Sequence, residues 1–185
     1  INQFYEGILK DFGKIDILIN NASTFEFDTL MTSDEKKFDK HINVNLRAPF
    51  FLSKSFVSGL KKKKGTIINI LDQRVKNITP YFTSYTISKT ALYSLTKSLS
   101  ISLAPNIRVN GISPGPTLMS KNQNKIQFKK QVLRTPLQTQ VKLSEINAGI
   151  SYLLDNPSIT GEVLTLDSGQ SLGWAHSKSK VFQTD

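Results

Sequence analysis

Four short, nearly continuous apolar runs, separated by helical patterns, limit what this chain can fold into more than any other feature. They are 15–21 (IDILINN), 65–72 (GTIINILD), Ile107–Pro114 (IRVNGISP) and 163–167 (VLTLD). Runs this short, apolar on both faces, read as buried strands. From 33 to about 60 the pattern is helical, with a Ser or Asp at its start as N-cap. A long helical pattern follows from about 80 to 104, with Leu92, Leu95, Leu99 and Leu103 on one face and Pro105 as its stop. A third covers 143–154, capped by Ser144 or a neighbour. The stretch 119–139 is polar with no clean period and is expected to be flexible; the tail 177–185 is polar and expected to be loose. Strands alternating with helices are the signature of parallel crossover units. The expectation is an α/β fold, a doubly wound parallel sheet with helices on both faces, forming one domain over 1–176.

Charge and composition remove several function classes. The chain has no Cys and two His, His41 and His176. Thiol chemistry is excluded, and no cluster of zinc-ligand type exists. No run of eighteen apolar residues is present, and the first residues, INQFYEGILKDFGK, do not resemble a signal peptide, so a cytoplasmic protein is expected. The net charge of +10 invites an anionic partner. Its densest piece, the lysine run 61–64, falls where a solvated loop is expected, without the interleaved aromatics of a single-strand binder. No nucleic acid and no membrane is expected. His41 sits among charged residues and reads as plain surface.

In parallel sheets, ligands bind beyond the carboxyl ends of the strands. Polar residues gather at three such ends: 20–23, Asp72, and 113–117. Helical spacing adds Tyr85 and Lys89, one turn apart in YTISK. A phenol has an ordinary pKa near 10. An ammonium beside it is expected to favour the phenolate and lower that value, which suits proton transfer during a reduction. Each residue also has a plainer reading. Asp72 can start a turn or cap a helix. Phe25 and Phe27 can be packing aromatics, Asn43 and Asn45 can brace backbone between strands, and SPGPT can be a rigid turn.

The motifs taken together resemble the short-chain dehydrogenase/reductase family. In order they are NNAS at 20–23, NVNL at 43–46, YTISK at 85–89, NGISPGPT at 110–117, and ITGEVLTLDSG at 159–169. The resemblance spans about 1–173. Within the family it is similar to the pteridine reductases and the dihydromonapterin-reductase-like branch: NNASTF, NLRAPFFL, and an aspartate, Asp72, where most members carry serine. The resemblance implies an NADPH-dependent reductase acting on a dihydropteridine, with NADH not excluded. It implies Tyr85 as proton donor, Lys89 tuning it and holding the nicotinamide ribose, Asp72 orienting or relaying the proton, and Asn45 supporting a water chain. It places Asn21, Ala22 and Ser23 along the cofactor, Pro114, Gly115 and Thr117 around the nicotinamide amide, and Phe25 on the pterin. It also implies a homodimer or homotetramer packed through the two long helices. Trp174 and His176 follow the last strand and could reach a neighbouring subunit. Ser168 stands where the family often has glycine.

The same resemblance exposes a departure. The family's glycine-rich phosphate turn, TGxxxGxG-like and placed between a strand and a helix, is absent; Gly7 and Gly13 are isolated. The chain is expected to be a C-terminal portion lacking the βαβαβ dinucleotide-binding part, with weak NADPH binding and no turnover by itself. The 15–21 strand is then expected to be an exposed apolar edge. Two alternatives stand beside the pteridine reductase: a short-chain carbonyl or 3-oxoacyl reductase, and a non-catalytic remnant or basic binding module.

Overall fold

The computed structural model describes residues 2–60, 63–121 and 123–173. Trp174, His176 and the tail 177–185 lie outside the described residues, as do Lys61 and Lys62; Lys63 and Lys64 are exposed. All four apolar runs are strands: β1 (Ile17–Asn20), β2 (Gly65–Ile70), β3 (Ile107–Pro114) and β4 (Val163–Leu166). They pair in the order β1-β2-β3-β4, every pair parallel. The helices are α1 (Asn2–Phe12), α2 (Glu35–Ile42), α3 (Ala48–Gly59), α4 (Thr83–Ser102), α5 (Lys125–Leu133) and α6 (Leu143–Asp155).

The period-two alternation of the strands sorts these helices onto two faces. Ile67 and Val109 face one layer, where Tyr5 of α1 and Phe56 of α3 pack on them beside Leu60, with Leu99 of α4 alongside. Ile68 and Ile112 face the other, against Leu153 of α6. Contact on that side is close: a Cβ added to Gly149 would stand 2.9 Å from Leu166 and 3.3 Å from Ile112. The expected doubly wound arrangement is therefore what forms. β1 is the outer strand, and Ile17 and Ile19 on it are exposed.

Three local expectations need correction. The helical pattern 33–60 is not one α-helix, because the backbone widens to a π-turn at Asn43–Arg47 between α2 and α3. Asp34 is the N-cap of α2, accepting from Lys37 N at 2.7 Å, while the Ser33 hydroxyl turns to Asp28. The stretch 119–139 is not structureless. It contains α5, opened by a reciprocal cap in which Gln127 N donates to Asn124 Oδ1 and Asn124 N to Gln127 Oε1, both at 2.9 Å. This helix buries no residue, so it carries no apolar period to betray it. The cap of α6 forms around Lys142, whose N–H donates to Glu145 at 2.6 Å, and not at Ser144.

Register decides what shares an edge. Asn20 lies opposite Asn69, and Ile70 opposite Ile112. Residues 21–23, 71–72 and 113–117 thus leave the sheet side by side at its carboxyl edge. Beneath them, Arg108 on β3 anchors the end of α6. Its Nη1 donates to the carbonyls of Leu153 (2.8 Å), Ile159 (2.9 Å) and Asn156 (3.3 Å), and Nη2 to Leu154 (3.1 Å). A cation that serves the carbonyls at a helix C-terminus both satisfies them and meets the negative end of the dipole. Arg108→Met leaves them without that donor and should lower stability by about 2–3 kcal/mol in urea unfolding; a loss below about 0.5 kcal/mol would mean water replaces the guanidinium.

Candidate active site

Beyond β2 the chain turns at Asp72, whose extended backbone precedes a short 3₁₀ turn, Gln73–Val75. One carboxylate does two things there. Oδ1 accepts from Arg74 N at 2.8 Å and caps the turn, while Oδ2 accepts from the Tyr85 hydroxyl at 2.9 Å. The turn reading and the site reading of Asp72 are both satisfied, one by each oxygen. Tyr85 and Lys89 lie one turn apart on the buried side of α4, with 5% and 2% of their surface exposed. Lys89 Nζ donates to the Ile70 carbonyl at 2.8 Å, the one hydrogen bond it makes among the described residues.

The electrostatics run opposite to the sequence expectation. Burial, then the Asp72 charge and its hydrogen bond, hold the Tyr85 phenol well above its ordinary 10; Arg74 and Ser23 oppose this weakly. Lys89 does not lower it, because its nitrogen is directed at Ile70 and stands 6.0 Å from the phenol ring centre. Burial instead pushes Lys89 down to about 8, against the pull of Asp72. The pair is thus a phenol that keeps its proton and an ammonium close to losing one.

Asn45 is fully buried in the π-turn and fixes the loop after β1. Its Oδ1 accepts from Thr24 N (2.9 Å) and the Ser23 hydroxyl (3.1 Å), and its Nδ2 donates to Thr24 O and Ser88 Oγ, both at 3.0 Å. The side chain braces backbone, as its plain reading held, but across a loop and not between strands. Ala48 N reaches Asn43 O in the π-turn, and Asn43 itself is exposed. The wider turn breaks the regular helical ladder where Asn45 must point inward, a common use of such bulges. Below it, Asn20 Nδ2 donates to Asn69 at 2.8 Å, and Asn69 Nδ2 to Thr96 at 2.9 Å, tying β1 to β2 and α4.

Phe25 stands beside the phenol, edge-on at 4.7 Å, and is stacked on Phe82 at 4.3 Å with 9° between planes. Phe27 meets Phe82 edge-on at 5.3 Å. His41 is the clearest miss. It is fully buried, not surface. Its Nε2 accepts from Glu26 N at 3.1 Å, so a neutral ring carries its proton on Nδ1, 2.7 Å from the Ser84 hydroxyl. That hydroxyl in turn donates to Asp28, which also accepts from Ser84 N and Ser33, and which closes the N-terminus of α4 after the left-handed Phe82. This buried chain of three side chains presses the Phe25 loop onto the helix that carries Tyr85. The charged neighbours on α2 hid His41, since Lys40 and Glu26 pair at the surface while the imidazole turns inward.

At the third strand end, Ser113 is buried with an unpartnered hydroxyl. Gly115 N donates to Leu166 O at 2.9 Å, and a Cβ there would stand 2.6 Å from the Asp167 backbone, so only glycine fits. Thr117 Oγ1 closes on Gly115 O at 3.1 Å. Asn21, Ala22 and Ser23 are exposed, and Pro114 and Thr117 half-buried. Ser168 has φ +55°, a left-handed position where glycine is the natural occupant, and its hydroxyl donates to Thr139 O at 2.6 Å. Among the described residues no cluster could hold a metal, and no helix is long and apolar enough to cross a membrane.

Comparison with known proteins agrees with this arrangement. Residues 1–171 match the family model described as enoyl-(acyl carrier protein) reductase. The human dehydrogenase/reductase SDR family member 4 is 34% identical over 173 residues, covering 87% of this chain and 61% of the relative. The chain belongs to the short-chain dehydrogenase/reductase family. The 3-oxoacyl-[acyl-carrier-protein] reductase FabG of Buchnera aphidicola is 33% identical over 177 residues, covering 91% of this chain and 71% of the relative. Among solved structures, FolM alternative dihydrofolate reductase 1 from Brucella suis in complex with NADP aligns with a TM-score of 0.90 and 40% identity, over 94% of this chain and 70% of that one. This member of the family is an NAD(P)H-dependent oxidoreductase, and its residues fit the nicotinamide end of that cofactor. A buried ammonium with N–H groups to spare, an orphaned Ser113 hydroxyl and the exposed turn 21–23 share one edge.

The buried imidazole gives this protein a pH signature. Burial holds His41 below its ordinary 6.5, opposed by Asp28 and Glu26, with Lys37 and Lys40 adding to the lowering. The unfolded chain takes up a proton below that pH which the folded chain refuses. Stability is full above 6.5 and falls as pH drops below it, by up to about 1.4 kcal/mol per pH unit from this group. Asp28, held low because its hydrogen bonds outweigh its burial, adds its own loss only at lower pH, below its ordinary 3.8. Urea unfolding of His41→Gln between pH 7 and 5 should show a flatter slope than the native chain; equal slopes would place the titration elsewhere.

Proposed function

We propose that this chain carries the catalytic side chains of an NADPH-dependent short-chain reductase acting on a dihydropteridine-type substrate. One observation carries the reading: the Tyr85 hydroxyl donates to an aspartate, Asp72, at 2.9 Å, at the strand-end position where the family's carbonyl reductases have serine. A serine there offers a donor to a substrate carbonyl. An aspartate offers only acceptors, which suits a substrate that presents N–H groups. The 40% identity to a protein named an alternative dihydrofolate reductase, complexed with NADP, supports the same substrate class and cofactor.

When bound, the nicotinamide supplies the hydride. The chain's own groups manage the proton. Tyr85 stays protonated at neutral pH and is the donor to the ring nitrogen. Asp72 aims the phenol and takes the next proton from solvent to restore it. Lys89 holds the nicotinamide ribose with the N–H groups that Ile70 leaves unused. Asn45 positions residues 23–24, and Asn21, Ala22, Ser23, Pro114, Gly115 and Thr117 line the cofactor. Phe25 offers an aromatic wall to a flat substrate. Exposed Phe50, Phe51, Ile87 and Ile101 on α3 and α4 support assembly through these helices into a dimer or tetramer. A cytoplasmic location suits an NADPH-dependent enzyme.

A 3-oxoacyl or other carbonyl reductase is the second reading, favoured by the FabG relative. Asp72→Ser separates them. In the full-length protein it should cut dihydropteridine-dependent NADPH oxidation by about 10²-fold or more, in the range of a lost acid–base group. A faster reduction of a 3-oxoacyl thioester by the same variant, with native activity already on thioesters, favours the second reading. Lys89 makes a separate prediction. Its proton is present below about 8 and lost above it, so NADPH affinity, read by nucleotide fluorescence, should fall as pH rises through 8. Lys89→Met should bind weakly and without that dependence.

A further inference from the structure

Arg74 has no place in the chemistry above, yet it lies inside the site. Only 15% of its side chain is exposed. Its guanidinium carbon stands 5.3 Å from the centre of the Phe25 ring and 4.8 Å from that of Phe82. Nη1 reaches Asp72 Oδ1 at 3.5 Å, too long for a strong bond, and Nε is buried with no partner. A guanidinium has five N–H donors. Holding the Nε–H unsatisfied in a nearly dry place is unfavourable, and such a group in a native fold calls for an explanation. Two aromatic rings account for the positive charge by cation–π attraction. They do not account for the unpaired Nε–H.

The neighbours say what those donors meet. Asp72 is an acceptor next to the Arg74 donor, and both lie within reach of the phenol: Asp72 by its hydrogen bond, Arg74 through Phe25, which contacts Tyr85 edge-on. Donor and acceptor side by side offer a two-point edge. The complementary edge is a ring C=O beside a ring N–H, a lactam. We propose that Arg74 and Asp72 together read the lactam edge of the substrate, Arg74 donating to its carbonyl oxygen and Asp72 accepting from the adjacent N–H. This rests on the dihydropteridine reading and narrows it to 4-oxo rings. A 4-amino ring would bring a donor against the guanidinium. Arginine suits the task because its fork is planar and always charged.

The test is a binding comparison on the full-length protein saturated with NADP⁺. The ligands are 6-methyl-7,8-dihydropterin, which has the 4-oxo group, and its 2,4-diamino counterpart. Arg74→Met keeps the stem that packs on Phe25 and Phe82 but removes every donor. It should weaken the 4-oxo ligand by about 10- to 100-fold, the worth of a charge-assisted hydrogen bond. The diamino ligand should change by less than about threefold, so the ratio of the two moves. Arg74→Lys, which keeps one donor and the charge, should recover part of the loss for the 4-oxo ligand alone. Equal weakening of both ligands in both variants, or none, overturns the role of Arg74 while leaving the pteridine reading standing. Failure of the native protein to bind either ligand overturns that reading and this inference with it. NADP⁺ affinity measured on each variant shows that the fold is intact.

Discussion

One carboxylate holds the site together. Asp72 caps the turn that ends β2 with one oxygen and accepts the Tyr85 phenol with the other. The first bond fixes it in the turn after β2; the second ties it to α4 and, after burial, holds the phenol of Tyr85 protonated. The ammonium one turn along α4 was expected to dominate the phenol. It does not, because a hydrogen-bonded charge acts at shorter range than one committed to a backbone carbonyl. The result is a phenol stabilised as an acid and a lysine whose proton is loosely held, the reverse of a phenolate poised as base.

The rest of the architecture serves to bring that pair under three strand ends. Parallel pairing places residues 21–23, 71–72 and 113–117 along one edge. The π-turn points Asn45 into the loop after β1, and the His41–Ser84–Asp28 chain clamps the same loop onto the start of α4. Phe25 is then held between the loop and the helix, against both Phe82 and Tyr85. Substitutions at His41 or Asp28 would reach the chemistry only by letting this loop move.

Much of this was legible in the sequence, and the unread parts share a cause. Continuous apolar runs such as GTIINI announce buried parallel strands, because both faces of each strand are covered. Tyr85, Lys89 and Asp72 could be singled out by helical spacing and strand-end position, but it was the family resemblance that gave them weight. Helix α5 was not, because it buries nothing and leaves no period. His41 was misread because the residues around it in the chain are solvated while its own side chain faces inward, and linear neighbours do not report on rotamer direction. Arg74 went unremarked since a charge four residues past a strand usually means surface; only the two phenylalanines, Phe25 and Phe82, make it part of a site. The direction of the Tyr85 shift required knowing which of two charges the phenol touches.

The most direct measurement is the ultraviolet difference titration of the phenol at Tyr85, taken as the native spectrum minus that of Tyr85→Phe, repeated in an Asp72→Asn background. The account predicts that the Tyr85 phenolate forms only above pH 10 in the native protein and at distinctly lower pH once the Asp72 charge is gone. A native phenolate appearing near neutrality, unmoved by Asp72→Asn but raised by Lys89→Met, would contradict it and return control of the site to the ammonium.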